Sequence, residues 1–164
     1  MMNTIKVVMV EPEIPGNTGN IMRLCASTGS ELHLIGPLGF FLDNRLMHRA
    51  GLDYKEFCVF RKHVNWDEFW KTESPNLANC FAFTTKTEKS LFQINESEDE
   101  AWLFFGAESK GLSQAQKEIF EKKNLLRIPM IKKSRSLNLS NSVAIGIYQF
   151  LRISKFNNGE YNLS

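Results

Sequence analysis

The chain opens with two short apolar runs separated by a segment of helical spacing. Residues 5–10 are mostly β-branched and stop before Pro12, and residues 31–35 repeat the apolar pattern. Between them, apolar side chains recur three or four positions apart as far as Thr28, and Gly29 supplies a helix stop. A strand, a helix and a second strand over about thirty residues predict a parallel βαβ unit.

The middle of the chain gives weaker signals. We predict a short basic helix over residues 44–51, a strand over 55–60 and another helix over 66–71. Residues 80–83 are continuously apolar and predict a buried strand. The acidic residues 96–100 predict a solvated loop.

The last third alternates strands and helices more clearly. Apolar runs at 101–105 and 125–128 predict two strands, with a helix over 114–120 between them. The longest helix is predicted over 141–155 and is apolar almost all round, which is typical of a helix buried on several sides. On a chain of this size that pattern indicates a subunit interface, so we predict a homodimer. Residues 155–164 are predicted to form a frayed tail.

Length and composition fit one α/β domain with an ample core. The chain has 164 residues, 43% of them hydrophobic, and a formal net charge of +2. That charge neither requires nor excludes a nucleic-acid partner, because a local basic face matters more than the total. No apolar run approaches the roughly 20 residues that span a bilayer. The N-terminus passes directly into a strand pattern, so neither a membrane span nor a signal peptide is predicted.

The cysteines and histidines indicate no metal site. Cys25, Cys58 and Cys80 stand far apart among apolar neighbours, and none forms a CxxC pair. The three histidines do not stand at metal-ligand spacing with them. We therefore predict small buried thiols, no metal and a reducing, cytoplasmic location.

The first segment that could carry chemistry is the start of the first predicted helix. Asn17 and Thr18 follow a Pro15-Gly16 turn, and Arg23 comes about one and a half turns later. A helix N-terminus binds anions through its free N–H groups, and an arginine adds a bidentate phosphate donor. The same spacing fits a helix capped by Asn17 or Thr18 that carries a surface arginine.

A second segment follows the predicted strand at 101–105. Gly106 and Gly111 allow a ligand to approach the backbone, and Glu108 places a charge at the carboxyl end of the strand. Ligands of α/β proteins bind at that edge of the sheet, although a plain strand-to-helix turn explains the same residues. Neither the GxGxxG fingerprint nor a P-loop is present, which argues against an ordinary dinucleotide-binding protein.

A third segment is the polar loop before the longest helix. Residues 134–142 contain four serines, two asparagines and an arginine, which offer many donors and acceptors to a polar ligand. The same side chains also suit a helix cap, and capping by itself would account for them.

In combination these segments resemble the SpoU-TrmD (SPOUT) class of RNA methyltransferases, and within it the small TrmL family, also called YibK. Residues 11–23, 105–112 and 127–142 match its three motifs in order and spacing, and the similarity runs from about Ile5 to Arg152. The resemblance implies one domain over residues 1–164, with a parallel-sheet SPOUT fold and a C-terminal trefoil knot. Periodicity could not predict a knot, because true knots are rare exceptions.

The resemblance also implies the reaction. The methyl donor is S-adenosylmethionine, and the acceptor is the ribose 2′-oxygen of the wobble cytidine or uridine in tRNA. The cofactor would lie bent in the knot, against three strand ends and the polar loop. The implied cofactor-binding residues are Phe83, Thr84, Gly106, Ile128, Met130, Ser136, Leu137 and Asn138.

Three residues match motif positions that are implied to be catalytic: Arg23, Asn17 and Glu108. Family analogy makes Arg23 the group that activates the ribose hydroxyl, although a guanidinium is a poor base because it is effectively always protonated. The alternative is that Arg23 grips the neighbouring phosphate and orients the 2′-oxygen. Alignment of the two reactants would then supply much of the acceleration.

RNA must be bound without a separate domain, so two subunits are expected to build one composite site. Ser140 and Asn141 match motif positions that support the site, and Tyr148 matches a position linked to substrate binding. Anticodon-loop bases are unpaired and can be splayed and stacked, which suits such recognition. The candidate phosphate contacts are Arg23, Arg45, His48, Arg49, Lys132, Lys133 and Arg135.

Two other functions stay open at this point. The same chemistry could serve rRNA or another tRNA position, and the chain could be a non-catalytic RNA-binding or nucleotide-sensing module of the same fold. The chain length and residues 11–15 favour the wobble position. The presence of Arg23, Glu108 and Asn138 favours an enzyme.

Overall fold

The computed structural model describes residues 4–42, 58–96 and 100–154, together with Phe156 and Tyr161. Within them, six strands form one parallel sheet in the order β3-β2-β1-β5-β4-β6. The strands are β1 (Thr4–Val10), β2 (Glu31–Ile35), β3 (Phe60–His63), β4 (Cys80–Phe83), β5 (Glu100–Phe105) and β6 (Leu125–Leu126). The helices are α1 (Pro15–Thr28), α2 (Trp66–Glu73), α3 (Gln114–Glu118) and α4 (Leu139–Ile153). This confirms the predicted single-domain α/β fold with a parallel sheet.

Several predictions concern segments outside the described residues. They include the helix over 44–51, the start of the strand over 55–60, the middle of the acidic loop and most of the tail over 155–164. Three of the candidate RNA contacts, Arg45, His48 and Arg49, also lie there.

The sheet is built outward from β1. Val7 pairs with Leu32 of β2 on one side and with Leu103 of β5 on the other, and both pairings are parallel. The chain runs from β1 to β2 and β3 on one side and then crosses to β4 on the other. Strand order therefore reverses beside β1. In open α/β sheets such a reversal opens a crevice at the carboxyl ends of the strands, where ligands bind.

Two hydrophobic cores cover the two faces of the sheet. One core packs α1 and α4 against the sheet, with Ile21 and Ile147 among its fully buried side chains. The other is aromatic and includes Phe69 of α2 with Trp102 and Phe104 of β5. Because β1, β2, β4 and β5 are covered on both sides, their residues are nearly all apolar, and this explains why apolar runs predicted these strands.

The start of α1 differs from the sequence prediction. The helix begins at Pro15, Ile14 occupies the N-cap position, and no side chain of the capping residue closes the helix end. Asn17 and Thr18 lie buried inside the first turns, so the prediction that one of them caps the helix is wrong. Proline is favoured at the first helical position because it has no N–H to satisfy. The predicted stop is confirmed: Gly29 has a left-handed φ of 64°.

The helix α4 starts two residues earlier than predicted and ends at Ile153. Asn138 caps it, since its side-chain oxygen accepts a hydrogen bond from the backbone N–H of Asn141. Gly146 lets the helix approach the sheet closely, because a Cβ at this position would lie 3.1 Å from the rings of Phe83 and Phe105. Tyr148 on the opposite face is 51% exposed. One face of α4 is therefore buried within the chain and another is open to solvent.

Other boundaries shift by a few residues. The helix predicted over 66–71 is confirmed and extends to Glu73. Of the described residues in the strand predicted over 55–60, only Phe60 lies in a strand, β3, and β6 and α3 are shorter than predicted. Glu100 belongs to β5 rather than to the acidic loop. Each of these segments is short, and such boundaries depend on neighbouring elements more than on local sequence.

The thiols follow the prediction in two cases of three. Cys25 and Cys80 are buried, whereas Cys58 is half-buried, and all three are free. Burial raises the pKa of Cys58 to about 11 and that of Cys80 to about 12, so both remain protonated thiols near neutral pH.

None of the described helices is long and apolar enough to cross a membrane.

Candidate functional site

A cleft of about 620 Å³ opens at the carboxyl ends of β4, β5 and β6. That volume is within the range of small-molecule and cofactor sites. Its walls come from the segment after β4, the turn after β5, and the polar loop that follows β6. The structure brings to this cleft all eight residues predicted to bind the cofactor, namely Phe83, Thr84, Gly106, Ile128, Met130, Ser136, Leu137 and Asn138. Their role remains a prediction.

The turn after β5 requires glycine at two positions. A Cβ added to Gly106 would overlap the backbone of Gly111 and Leu112. Gly111 has a left-handed φ of 65°, and its N–H donates a 2.8 Å hydrogen bond to the carbonyl oxygen of Ala107. The chain thus folds back on itself directly beside the cleft. Residues 106–112 of this turn form one part of the wall.

Glu108 supplies the cap that α1 lacks locally. Its carboxylate accepts hydrogen bonds from the backbone N–H groups of Glu13 at 2.7 Å and Ile14 at 3.1 Å, and from Nδ2 of Asn17 at 3.1 Å. A carboxylate at a helix N-terminus satisfies free N–H groups and interacts favourably with the helix dipole. Glu108 therefore fixes the start of α1 against the turn after β5.

Asn17 and Asn138 connect the first helix to the last. Nδ2 of Asn138 donates a 3.0 Å hydrogen bond to Oδ1 of Asn17. Oδ1 of Asn138 in turn accepts from the Ser140 hydroxyl at 2.7 Å and from the Asn141 N–H at 3.3 Å. Together with Glu108, these amides form one polar network that joins the three sequence motifs at the edge of the cleft.

We expect replacement of Asn138 by alanine to destabilise the protein measurably. The change removes the α4 cap and the bond to Asn17, each of which contributes about 1 kcal/mol. For a domain of this size the melting temperature should fall by about 4–8 °C. Asn141→Ala is the matched control, because the cap uses the backbone N–H of Asn141. Equal melting temperatures for the two variants would contradict the proposed network.

A second pair of contacts holds the same two segments together from outside. The Glu13 carboxylate accepts hydrogen bonds from the hydroxyl of Ser109 at 2.7 Å and from its backbone N–H at 2.8 Å. Lys110 lies 2.6 Å from Glu11. The Ser109 hydroxyl and N–H lower the pKa of Glu13, and the hydrogen bond to Glu11 raises the pKa of Lys110. Both pairs are solvent-exposed, so they fix geometry more than they add stability.

This lowered pKa predicts a pH effect of definite sign. Because the pKa of Glu13 is lower in the folded chain than its usual value of 4.5, its stabilisation is complete above that pH and is lost as pH falls through the folded pKa. We therefore expect Glu13→Gln to flatten the acid-side decline of the melting temperature. Glu88→Gln, which changes an exposed glutamate in the loop after β4, serves as control. Parallel acid-side curves for wild type and Glu13→Gln would refute the assignment.

The predicted RNA contacts are only partly brought to the cleft. Arg135 lines it. Arg23 lies on the exposed face of α1 and does not line the cleft, and Tyr148 lies on the exposed face of α4. Since α1 and α4 pack side by side, Arg23 and Tyr148 belong to neighbouring helices. Ser140 and Asn141 lie in the first turn of α4, and Lys132 and Lys133 are exposed in the preceding loop.

Sequence reasoning missed two lysines at the cleft. Lys86 follows β4, and Lys117 lies on α3 with only 8% of its surface exposed. A buried lysine at the edge of a pocket is uncommon. For Lys86 the only available signal was its position shortly after a strand end, which is too general to single it out, and Lys117 within a helix gave no signal.

The fold and the cleft define a class of α/β proteins that bind a ligand at the carboxyl ends of a parallel sheet, beside a reversal of strand order. The chain belongs to the SpoU rRNA Methylase family, whose model matches residues 4–148. This confirms the resemblance that the three motifs indicated.

Individual relatives are similar over nearly the whole chain. A protein of Burkholderia pseudomallei named tRNA (cytidine(34)-2'-O)-methyltransferase is 49% identical over 153 residues, which are 93% of this chain and 97% of the relative. A solved structure concerned with the 2-OH methylation of C/U34 on tRNA is 37% identical, with a TM-score of 0.84, and the match covers 94% of this chain and 93% of that one.

A more distant structure shares the fold. The SpoU methyltransferase AviRb of Streptomyces viridochromogenes, solved with the cofactor AdoMet, is 20% identical with a TM-score of 0.80. The match covers 95% of this chain and 62% of that one. At this identity the likeness concerns the fold alone.

Proposed function

We propose that this protein transfers a methyl group from S-adenosylmethionine to the ribose 2′-oxygen of the wobble nucleotide of tRNA. The observation that carries the proposal is the polar network of Glu108, Asn17 and Asn138, which joins the family's three motifs around one cleft. Support comes from full-length relatives that are named tRNA (cytidine(34)-2'-O)-methyltransferase. The protein is thus an S-adenosylmethionine-dependent methyltransferase of the SpoU family.

The cleft fits this cofactor in size and chemistry. Phe83, Phe105 and Leu126 give it an apolar floor, while Thr84, Ser136 and Asn138 add polar groups along the rim. Gly106 lets the turn after β5 fold back closely on itself at Gly111 and Leu112, and this turn forms part of the cleft wall. When bound, S-adenosylmethionine supplies the electrophilic methyl group. The residues of this chain bind and orient it, and the buried floor excludes water.

Arg23 is the residue that we assign to the reacting ribose. A guanidinium is a poor base but an excellent partner for phosphate, so Arg23 grips the RNA backbone and aligns the 2′-oxygen. Asn17 and Glu108 hold the start of α1 and thereby set the position of Arg23 on the same helix. Alignment of two bound reactants is a sufficient source of large rate enhancement.

A homodimer completes the site in this proposal. Within one chain, Arg23 lies on the exposed face of α1 and does not line the cleft. The neighbouring helix α4 exposes Tyr148, with Ala144 and Ile145 half-buried on the same side. Packing of two such surfaces brings Arg23 of one subunit towards the cleft of the other. Arg135, Ser140, Asn141 and Tyr148, with Arg45 and Arg49, then provide the RNA-binding surface.

We further propose that the segment after β6 forms a trefoil knot. Residues 84–91 and 126–127 are hydrogen-bonded to one another, from the N–H of Thr84 to the carbonyl of Leu126 and from the N–H of Leu91 to the carbonyl of Arg127. The chain then passes through the polar loop to α4, which packs beside α1.

The proposal also places the enzyme in the cytoplasm, where its tRNA substrate is found, and the reaction requires no metal.

Methyl transfer to RNA tests the function directly. The protein would be incubated with labelled S-adenosylmethionine and total tRNA from a strain that lacks this enzyme, and the modified nucleotide would be mapped. We expect 2′-O-methylation at the wobble cytidine or uridine. Methylation of rRNA or of another tRNA position instead would assign a different substrate. Cofactor binding with no transfer to any RNA would favour a non-catalytic module.

A further inference from the structure

Two histidines and a glutamate meet on the other half of the sheet, away from the cleft. Nδ1 of His33 on β2 lies 3.0 Å from Nε2 of His63 at the end of β3. Oε1 of Glu73, the last residue of α2, lies 3.9 Å from the first nitrogen and 3.7 Å from the second. None of the three residues lines the cleft.

The spacing of the three atoms is that of metal ligands. The point equidistant from them lies about 2.1 Å from each, and zinc binds imidazole nitrogen and carboxylate oxygen at about 2.0–2.2 Å. His33 is fully buried, His63 is 3% exposed, and the Glu73 side chain is 8% exposed. All three ligand atoms therefore converge in a space that is closed to bulk solvent.

The protons on the two rings favour a cation between them. Nδ1 of His63 faces the Glu68 carboxylate at 3.2 Å, so this nitrogen carries the proton and Nε2 presents a lone pair. If Nδ1 of His33 donates to that lone pair, Nε2 of His33 is left as a buried acceptor without a hydrogen-bond donor. The lone pair of this Nε2 would also face the negatively charged Glu31 carboxylate at 3.7 Å, and the two would repel each other.

The opposite tautomer of His33 removes the repulsion between Nε2 and Glu31, although Nε2 remains without a hydrogen-bond partner. Its Nε2 then carries the proton and faces the Glu31 carboxylate at 3.7 Å, which is longer than the 3.2 Å hydrogen bond between Nδ1 of His63 and Glu68. Two lone pairs now face each other at 3.0 Å, which is repulsive unless a positive ion lies between them. Histidine ligands of metals characteristically donate their remote N–H to a carboxylate, as His63 does to Glu68.

We propose that His33, His63 and Glu73 bind a divalent transition-metal ion, with Zn²⁺ as the best match. Two imidazoles and one carboxylate suit zinc, and a fourth position is left to water or to the second oxygen of Glu73. Arg61 contacts both oxygens of Glu73, at 3.2 and 3.3 Å, from the solvent side. Its side chain is 55% exposed and free to shift to the outer oxygen when the ion takes Oε1.

The ion would join three elements that are otherwise held at the edge of the sheet. β3 is the edge strand, and α2 packs over it. A ligand from each of β2, β3 and α2 would tie this edge together. Because the site is separate from the cleft, the ion contributes to stability, and methyl transfer itself remains independent of metal.

Metal binding to the full-length protein tests the proposal. Protein freed of metal with a chelator would be loaded with Zn²⁺, passed through a desalting column, and analysed for metal content and melting temperature. We expect one zinc per chain and a melting temperature about 5–10 °C higher at a hundredfold excess over the dissociation constant. Loading with Co²⁺ should give the visible bands of nitrogen and oxygen ligation.

Matched variants assign the ligands. His63→Gln and Glu73→Gln should lose both the zinc and the temperature shift, whereas His48→Gln and Cys58→Ser should keep them. A wild-type protein that retains no zinc would overturn the proposal. So would a Co²⁺ spectrum dominated by thiolate ligation, a result that needs no variant and is therefore independent of any folding defect.

Discussion

Replacement of Arg23 by alanine is expected to abolish methyl transfer to tRNA while leaving the fold and cofactor binding intact. Arg23 is exposed on α1 and does not line the cleft, so its loss removes neither a core contact nor a cofactor contact. If it aligns the ribose through the RNA backbone, kcat/KM should fall by about a hundredfold or more. The measurement is labelled-methyl transfer to unmodified tRNA, alongside calorimetric binding of S-adenosylmethionine to the same preparation.

The lysine variant separates the two possible roles of Arg23. Arg23→Lys keeps a positive charge but loses the planar pair of donors, so bidentate orientation predicts a loss close to that of alanine. Substantial activity in Arg23→Lys would indicate a simple electrostatic contact with phosphate. Undiminished activity in Arg23→Ala would remove this residue from the site altogether.

Replacement of Gly106 by alanine should give the largest loss of stability and should abolish cofactor binding. The added Cβ would overlap the backbone of Gly111 and Leu112, which cannot yield as a flexible side chain would. Overpacking of this kind costs about 3 kcal/mol, which corresponds to a fall of about 10 °C in melting temperature. The displaced turn would also move the part of the cleft wall that residues 106–112 form.

Two other glycines provide controls for Gly106. Gly16 has nothing within 4 Å of an added Cβ, so Gly16→Ala should be nearly neutral. Gly111 has equal space but a φ of 65°, so Gly111→Ala should cost about 1 kcal/mol through backbone strain alone. If Gly106→Ala melts no lower than Gly111→Ala, close approach of the backbone is not the reason for the glycine.

The sequence by itself determined the elements that have a strong local pattern. Strands β1, β2, β4 and β5 are covered on both faces, and this leaves unbroken apolar runs that are visible in the sequence. The end of α1 was equally clear, because Gly29 adopts a left-handed conformation that other residues avoid. The family was also indicated by the sequence alone, because the order and spacing of its three motifs are properties of the sequence: residues 11–23, 105–112 and 127–142.

Only the tertiary structure decided what those residues do. Glu108 was predicted as a site residue, but its carboxylate caps a helix more than ninety positions away, at the N–H groups of Glu13 and Ile14. For the same reason the local prediction of a cap at Asn17 or Thr18 was wrong. Asn17 instead bonds to Asn138, 121 residues further along. Such pairings depend on strand order and on how helices cross, and neither leaves a local pattern.

The histidine cluster is a site that the sequence did not predict at all. Metal sites were sought in the sequence through the spacing of cysteines and histidines, and none was predicted. His33 and His63 come together because β2 and β3 are neighbouring parallel strands, and α2 then folds Glu73 back towards them. Ligands contributed by three separate elements have no characteristic spacing. Local propensity fixes elements, whereas packing of the sheet and its helices brings distant side chains into one site.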